Sequence, residues 1–203
     1  MIFHEPCSEA SGIVTDMLKS KRWMINFNRL LRMSDEVTKT LGEGKIKSTQ
    51  YIPLKLAIPM FEQACLEEDD ELQDIWCKLI SKSLDPEFDV AIKPAFIDIL
   101  KSITSLDAKI LKYTFDFVSE NSAPNQEVDL NNCPVSLDEI KDKFSTVPYS
   151  DIMVSIYNLK RVQCIQEYLY KSRAVNDFSF SVGRDLYYVL TYLGSALVEA
   201  CMK

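Results

Sequence analysis

The chain has 203 residues, 47% of them hydrophobic and 26% charged, with only five glycines. That is enough apolar material for a packed core and too ordered a composition for a disordered or collagen-like chain. A net charge of -7 disfavours general attraction to polyanions, so nucleic acid is not the default partner.

Six cysteines stand at 7, 65, 77, 133, 164 and 201, without a C-x-x-C pair and without a nearby histidine, so no zinc site is expected. The opening residues include Glu5 and Glu9 and lack a continuous apolar core, so no secretory leader is expected. Reduced thiols and a cytoplasmic address follow. No apolar run approaches the ~20 residues of a spanning helix, so no transmembrane segment is expected.

In chain order, residues 1–11 read as a flexible N-terminus, 12–103 as a helical module and 104–203 as a winged-helix-like module. Ile13, Val14, Met17, Met24, Phe27, Leu30 and Leu31 recur near a 3.6-residue period, which predicts a helix from about Gly12 to Leu41. Its stretch from 17 to 33 is basic, with Lys19, Arg22, Arg29 and Arg32 beside Trp23. This is either the solvated face of a core helix or a surface for anionic lipid. Gly42-Glu43-Gly44 closes the helix.

Pro53 opens a second helix running to about Leu66, with Pro59 as a candidate kink. Asp69 or Asp70 caps a third, in which Leu72, Ile75, Trp76, Leu79 and Ile80 form one apolar stripe. The acidic run 67–71 lacks the glycine and the alternating ligands of a calcium loop and reads as helix-start charge. Pro94 starts a short helix that closes the first module near Ile103.

Ser105 reads as the cap of a helix carrying Ile110, Leu111, Tyr113, Thr114 and Phe117. Ser136 and Glu139 spell a capping box before a short helix ending near Phe144. A further helix from Ser150 carries Ile152, Met153, Ile156, Leu159 and Val162. The period then falls to two across 165–171 and 178–182, Leu186–Leu190 is a third extended run, and Gly194–Met202 is a last helix. The fold class is thus mainly α, with a small β-hairpin in a winged helix-turn-helix order.

The core IPLKLAIPMFEQACLEEDDELQDIWCKLISKSLDP and the segment IKPAFIDILKSITSLDAKIL carry a long ordered pattern: Ile52, Pro53, Pro59, Glu62, Glu68, Leu72, Trp76 and Leu79, then Pro94, Phe96, Leu100, Asp107, Ala108 and Leu111. With KSKRWMINFNRLL, NLKRVQCIQE and LTYLGSALVEAC, this set resembles the abortive infection alpha family of small bacterial proteins linked to phage resistance. The resemblance spans roughly residues 12 to 202 and implies a role in antiviral defence. It carries no active residues across and names a phenotype, not a reaction.

Enzyme chemistry finds few parts. His4, the only histidine, lies near the N-terminus, which removes His-dependent nucleophile and metal designs. Glu43-Gly44-Lys45 spells E-x-K inside a glycine-rich linker, where a nuclease site would not be held. No phosphate-cradling glycine motif occurs, and Cys65 and Cys77 read as core residues. No catalytic residue, no metal ligand and no cofactor is therefore assigned.

The leading expectation is a non-enzymatic defence protein that recognises an unidentified protein partner. One alternative is a winged-helix DNA-binding regulator using Asn158, Lys160, Arg161, Lys171 and Arg173. The other is a membrane-surface effector using Lys19, Arg22, Trp23, Arg29 and Arg32. A homo-oligomer stays open.

Overall fold

A computed structural model describes residues 31–32, 34–40, 50–88, 91–121, 133–168 and 186–203. The chain is mainly helical with one small antiparallel sheet, and it divides into two compact units, 1–86 and 87–203.

In the first unit, residues 31–32 and 34–40 belong to helix α1. Helix α2 spans Leu54–Leu66 and α3 spans Asp70–Leu84. Pro53 sits at the N-cap of α2, while Pro59 lies inside that helix without ending it. Asp69 caps α3 by accepting from the Glu71 and Leu72 amides, which satisfies two of the amides a helix start leaves unpaired. Leu72, Trp76, Leu79 and Ile80 are buried as the stripe requires, together with Met60 and Ala64 of α2. At the other end of α3, Gln50 donates from its backbone to the Leu84 carbonyl at 2.9 Å and from its side chain to Ser83 and Asp85 carbonyls. The last turn is thereby closed by a side chain 33 residues upstream.

The second unit runs α4 (Pro94–Leu100), α5 (Ser105–Asn121), β1 (Val135–Ser136), α6 (Leu137–Lys143), α7 (Tyr149–Arg161), β2 (Ile165–Tyr168), β3 (Tyr187–Leu190) and α8 (Tyr192–Cys201). By its contacts α4, which the sequence places at the end of the first module, groups with this unit. The sheet order is β1-β3-β2, with Val135 opposite Tyr188 and Glu167 also opposite Tyr188. Strand β1 has no counterpart in the sequence reading, because two residues are too few to show alternation. The runs at 169–171 and 178–182 lie outside the described residues, as do the N-terminal segment to Leu30 and the glycine pair at 42–44.

Three boundaries differ from expectation. The cap of α5 is Thr104, not Ser105: the Asp107 amide donates to Thr104 Oγ1 at 3.3 Å and the Thr104 amide donates to Asp107 Oδ2 at 2.8 Å, a reciprocal capping box. Helix α7 begins one residue early, after Pro148. Helix α8 begins at Tyr192, because Thr191 both ends β3 and accepts from the Gly194 amide as N-cap.

The junction of α7 and β2 fixes the sheet. Gln163 has φ 59°, the left-handed geometry usually left to glycine, and its amide donates to the Lys160 carbonyl while the Cys164 amide donates to Leu159. The Thr191 amide in turn donates to the Cys164 carbonyl at 3.0 Å. Gly194 packs against that same carbonyl so closely that a Cβ there would lie 2.2 Å from its oxygen. The obstacle is backbone held by a turn and cannot rotate away. Gly194→Ala is therefore expected to destabilise the chain by about 2 kcal/mol, lowering the thermal midpoint by roughly 4–8 °C. An unchanged melting curve would contradict this reading of the junction.

Candidate functional site

Helix α7 is where the sequence places its chemistry, and its inner side is apolar: Ile152, Ile156 and Leu159 are buried. Its first turn carries Asp151 and its last turn Lys160 and Arg161. Of the candidate DNA-reading residues, Asn158, Lys160 and Arg161 do come together, but each is engaged within the protein. Asn158 Nδ2 donates to the Ser102 carbonyl at 2.8 Å and to Asp107 Oδ2 at 2.7 Å. Arg161 donates through Nε and Nη2 to Asn158 Oδ1, at 3.0 and 2.8 Å. Lys160 Nζ donates to Glu167 Oε2 at 2.6 Å and lies over the Tyr157 ring. Lys171 and Arg173 lie outside the described residues.

The anchor of this network is Asp107, a carboxylate only 1% exposed that accepts from both Thr104 and Asn158. A buried carboxylate needs such donors, since its water shell is gone. Asn158 is thus a tie between α7 and the start of α5. Outward from α7 point Val154, 67% exposed, and Tyr157, 61% exposed, with Tyr149 also exposed at the helix start. The outward face of α7 is thus apolar and aromatic at its centre.

Of the proposed lipid-facing set, Arg32 is described and the other four residues are not. Its guanidinium bridges Asp70 and Asp74 of α3, with the Asp74 contact at 3.0 Å, and the two carboxylates hold its pKa above the usual value. Leu31 beside it is 48% exposed. Among the described residues no helix is long and apolar enough to cross a membrane.

The acidic run is accounted for locally. Glu67 accepts from the Glu68 and Asp69 amides, Asp69 caps α3, and Asp70 binds Arg32. No group of three or more metal-ligating side chains converges among the described residues. Burial pushes the Cys77 thiol up to about 11 and the Cys164 thiol to about 12, which leaves both protonated and weakly nucleophilic at neutral pH. Burial and the neighbouring Glu167 likewise raise the Tyr188 phenol to about 12.

A groove of about 430 Å³ that sequence reasoning missed runs along the other side of α5, lined by Lys109, Lys112, Tyr113, Asp116, Phe117 and Glu120 and closed by Lys143 and Phe144. Tyr113 meets Phe144 edge to face at 6.0 Å, and Lys143 lies over the Tyr113 ring. Lys112 pairs with Asp116 at 2.9 Å. The signal was available: 109, 112, 113, 116, 117 and 120 repeat at helical spacing, which places them on a single face. Tyr113 and Phe117, read from sequence with the apolar set of this helix, lie here half-buried, while Phe115 and Val118 fill the core.

The fold is that of a mainly helical chain with a three-stranded antiparallel sheet. The chain belongs to the abortive infection alpha family, whose pattern matches residues 27–201. That membership connects it with abortive infection, a form of antiviral defence. No curated protein and no solved structure matches it.

Asn158→Ala removes a hydrogen bond to a buried charge and should cost about 2–3 kcal/mol of stability, read as a lower denaturation midpoint. Retention of full stability would remove Asn158 from the structural network. For the thiols, a stable fold at pH 8 leaves about one part in 10³ of Cys77 as thiolate and less of Cys164. Peptide mapping after brief alkylation should therefore find half-buried Cys133 modified ahead of both, and rapid labelling of Cys164 would show that its burial is not maintained.

Proposed function

We propose that this chain acts in the bacterial cytoplasm as a non-enzymatic defence protein, and that its second unit recognises a protein partner through the outward face of α7. The observation that carries this reading is the division of labour on that helix. Its Asn158 amide is turned inward onto Asp107 and the Ser102 carbonyl, Arg161 is exposed but folded over Asn158, and Val154 and Tyr157 are left to solvent. Exposed aromatic and aliphatic side chains with a polar rim suit a protein interface, where desolvation of such residues supplies most of the affinity. Engagement of this face by a phage or host component would be the event that starts growth arrest.

A winged-helix DNA-binding reading has support in the element order, three helices followed by β2, β3 and a terminal helix with β3 central in the sheet. Against it stand Asp151 at the start of α7, where phosphate would approach, and the neutralisation of Lys160 by Glu167.

The test is a phage panel plated on cells expressing the wild-type chain or its Val154→Asp and Tyr157→Asp variants, with circular dichroism confirming that both variants fold. Wild-type protection that falls at least tenfold in both variants is the expected result. Equal protection by the folded variants would remove this face, and equality of wild type with empty vector across the panel would remove the defence role. Duplex binding by the wild type at low salt, lost on adding salt, would favour the DNA reading instead.

A further inference from the structure

The groove along α5 changes charge from one end to the other. Lys109 and Lys112 lie toward the helix N-terminus and Asp116 and Glu120 toward the C-terminus, the half-buried rings of Tyr113 and Phe117 lie between Lys109 and Glu120, and Lys143 closes the side wall. Position 109 is as far before the centre of this stretch as 120 is after it, and the same holds for 112 against 117 and 113 against 116. A face arranged in this way is complementary to itself when one copy is turned end over end.

From this the geometry points to a homodimer of the chain in which two α5 helices pack antiparallel across a two-fold axis, groove against groove. A two-fold axis brings the same patch of both copies together, so each residue meets its counterpart about the centre. Lys109 of one copy then faces Glu120 of the other and Glu120 faces Lys109, two equivalent pairs about 16 Å apart along the helix, since each residue rises about 1.5 Å. Between them the Tyr113 and Phe117 rings of both copies lose water together, and the Phe144 ring set edge to face on Tyr113 stiffens each half. Parallel packing would instead set Lys109 against Lys109 and Glu120 against Glu120, and like-charge contacts select against it.

The size of the contact sets its strength. Helix α5 is 17 residues long, about 25 Å, and its groove face buries less than the ~800 Å² per partner of a standard stable interface. The dimer is therefore weak, forming in the micromolar range, and sensitive to salt because its charges sit at the rim.

The experiment is sedimentation equilibrium on the full chain, whose monomer is 23.3 kDa, between about 1 and 300 µM. The wild-type mass should rise toward twice that value. Lys109→Glu and Glu120→Lys should each weaken self-association at least tenfold, because each puts two like-charged pairs into the symmetric contact. Neither change opposes the helix macrodipole, as the acid moves to the N-terminal end and the base to the C-terminal end, so circular dichroism should show both variants folded. An equimolar mixture of the two variants should associate again, since the mixed pair restores every opposite-charge contact, and the double variant should self-associate like the wild type. A wild type that stays monomeric throughout overturns the proposal, as do single variants that dimerise undiminished. A mixture that stays monomeric while the wild type dimerises places the contact elsewhere and overturns it equally.

Discussion

Burying a carboxylate removes it from water, and Asp107, almost without exposure, survives there because two donors point at it from different parts of the chain. One donor is local, the Thr104 amide of its own helix cap. The other, Asn158, is 51 residues away and belongs to α7. A hydrogen bond to a charge, sheltered from solvent, is among the stronger polar contacts a protein makes. It sets the end of α7 against the start of α5, and Arg161 then closes over Asn158 from outside. The turn at Gln163 and Cys164 follows directly, and with it the placement of β2, Thr191 and Gly194.

The same constraint engages polar groups in the last turns of α7. With its amide on Asp107 and the Ser102 carbonyl, Asn158 is engaged within the protein, while Arg161 stays exposed above it. Pairing elsewhere is similar: Lys160 with Glu167, Lys112 with Asp116, Lys141 with Asp138, Arg32 with Asp70 and Asp74. Binding to a polyanion gains from releasing counterions, and cations already matched by carboxylates release few. Among the described residues, the outward side of α7 exposes Val154 and Tyr157.

Much of this was legible where local rules govern. The stripe on α3, its Asp69 cap and the capping box at Ser136 all follow from spacing and side-chain chemistry within a few residues, while Pro53 sits one position earlier than expected, at the N-cap of α2 and not in its first turn. What was hidden depends on partners distant in sequence or on rules broken locally. Thr104 outcompetes Ser105 as cap because Asp107 answers it three residues on, and both serine and threonine suit such a position. The end of α7 carries no glycine, so a left-handed Gln163 could not be anticipated. Asn158 looked like a surface amide until its acceptor was known. The α5 groove is hidden for a different reason: its aromatic residues share hydrophobicity with the core set of the helix, although Tyr113 and Phe117 fall on the side opposite Phe115 and Val118.

Helix α5 packs on α7 and also bears the groove, and the exposed Val154 and Tyr157 of α7 are not among the residues that line it. Pairing through α5 would thus leave two α7 faces open on one particle. A partner presenting repeated sites would then be held twice, the second contact forming at the high effective concentration that the first creates. Two weak surfaces joined in this way respond steeply to a multivalent target and little to a single copy. That property suits a protein whose family is tied to arresting infection, because a trigger that answered to monomeric bystanders would cost the cell its growth without cause.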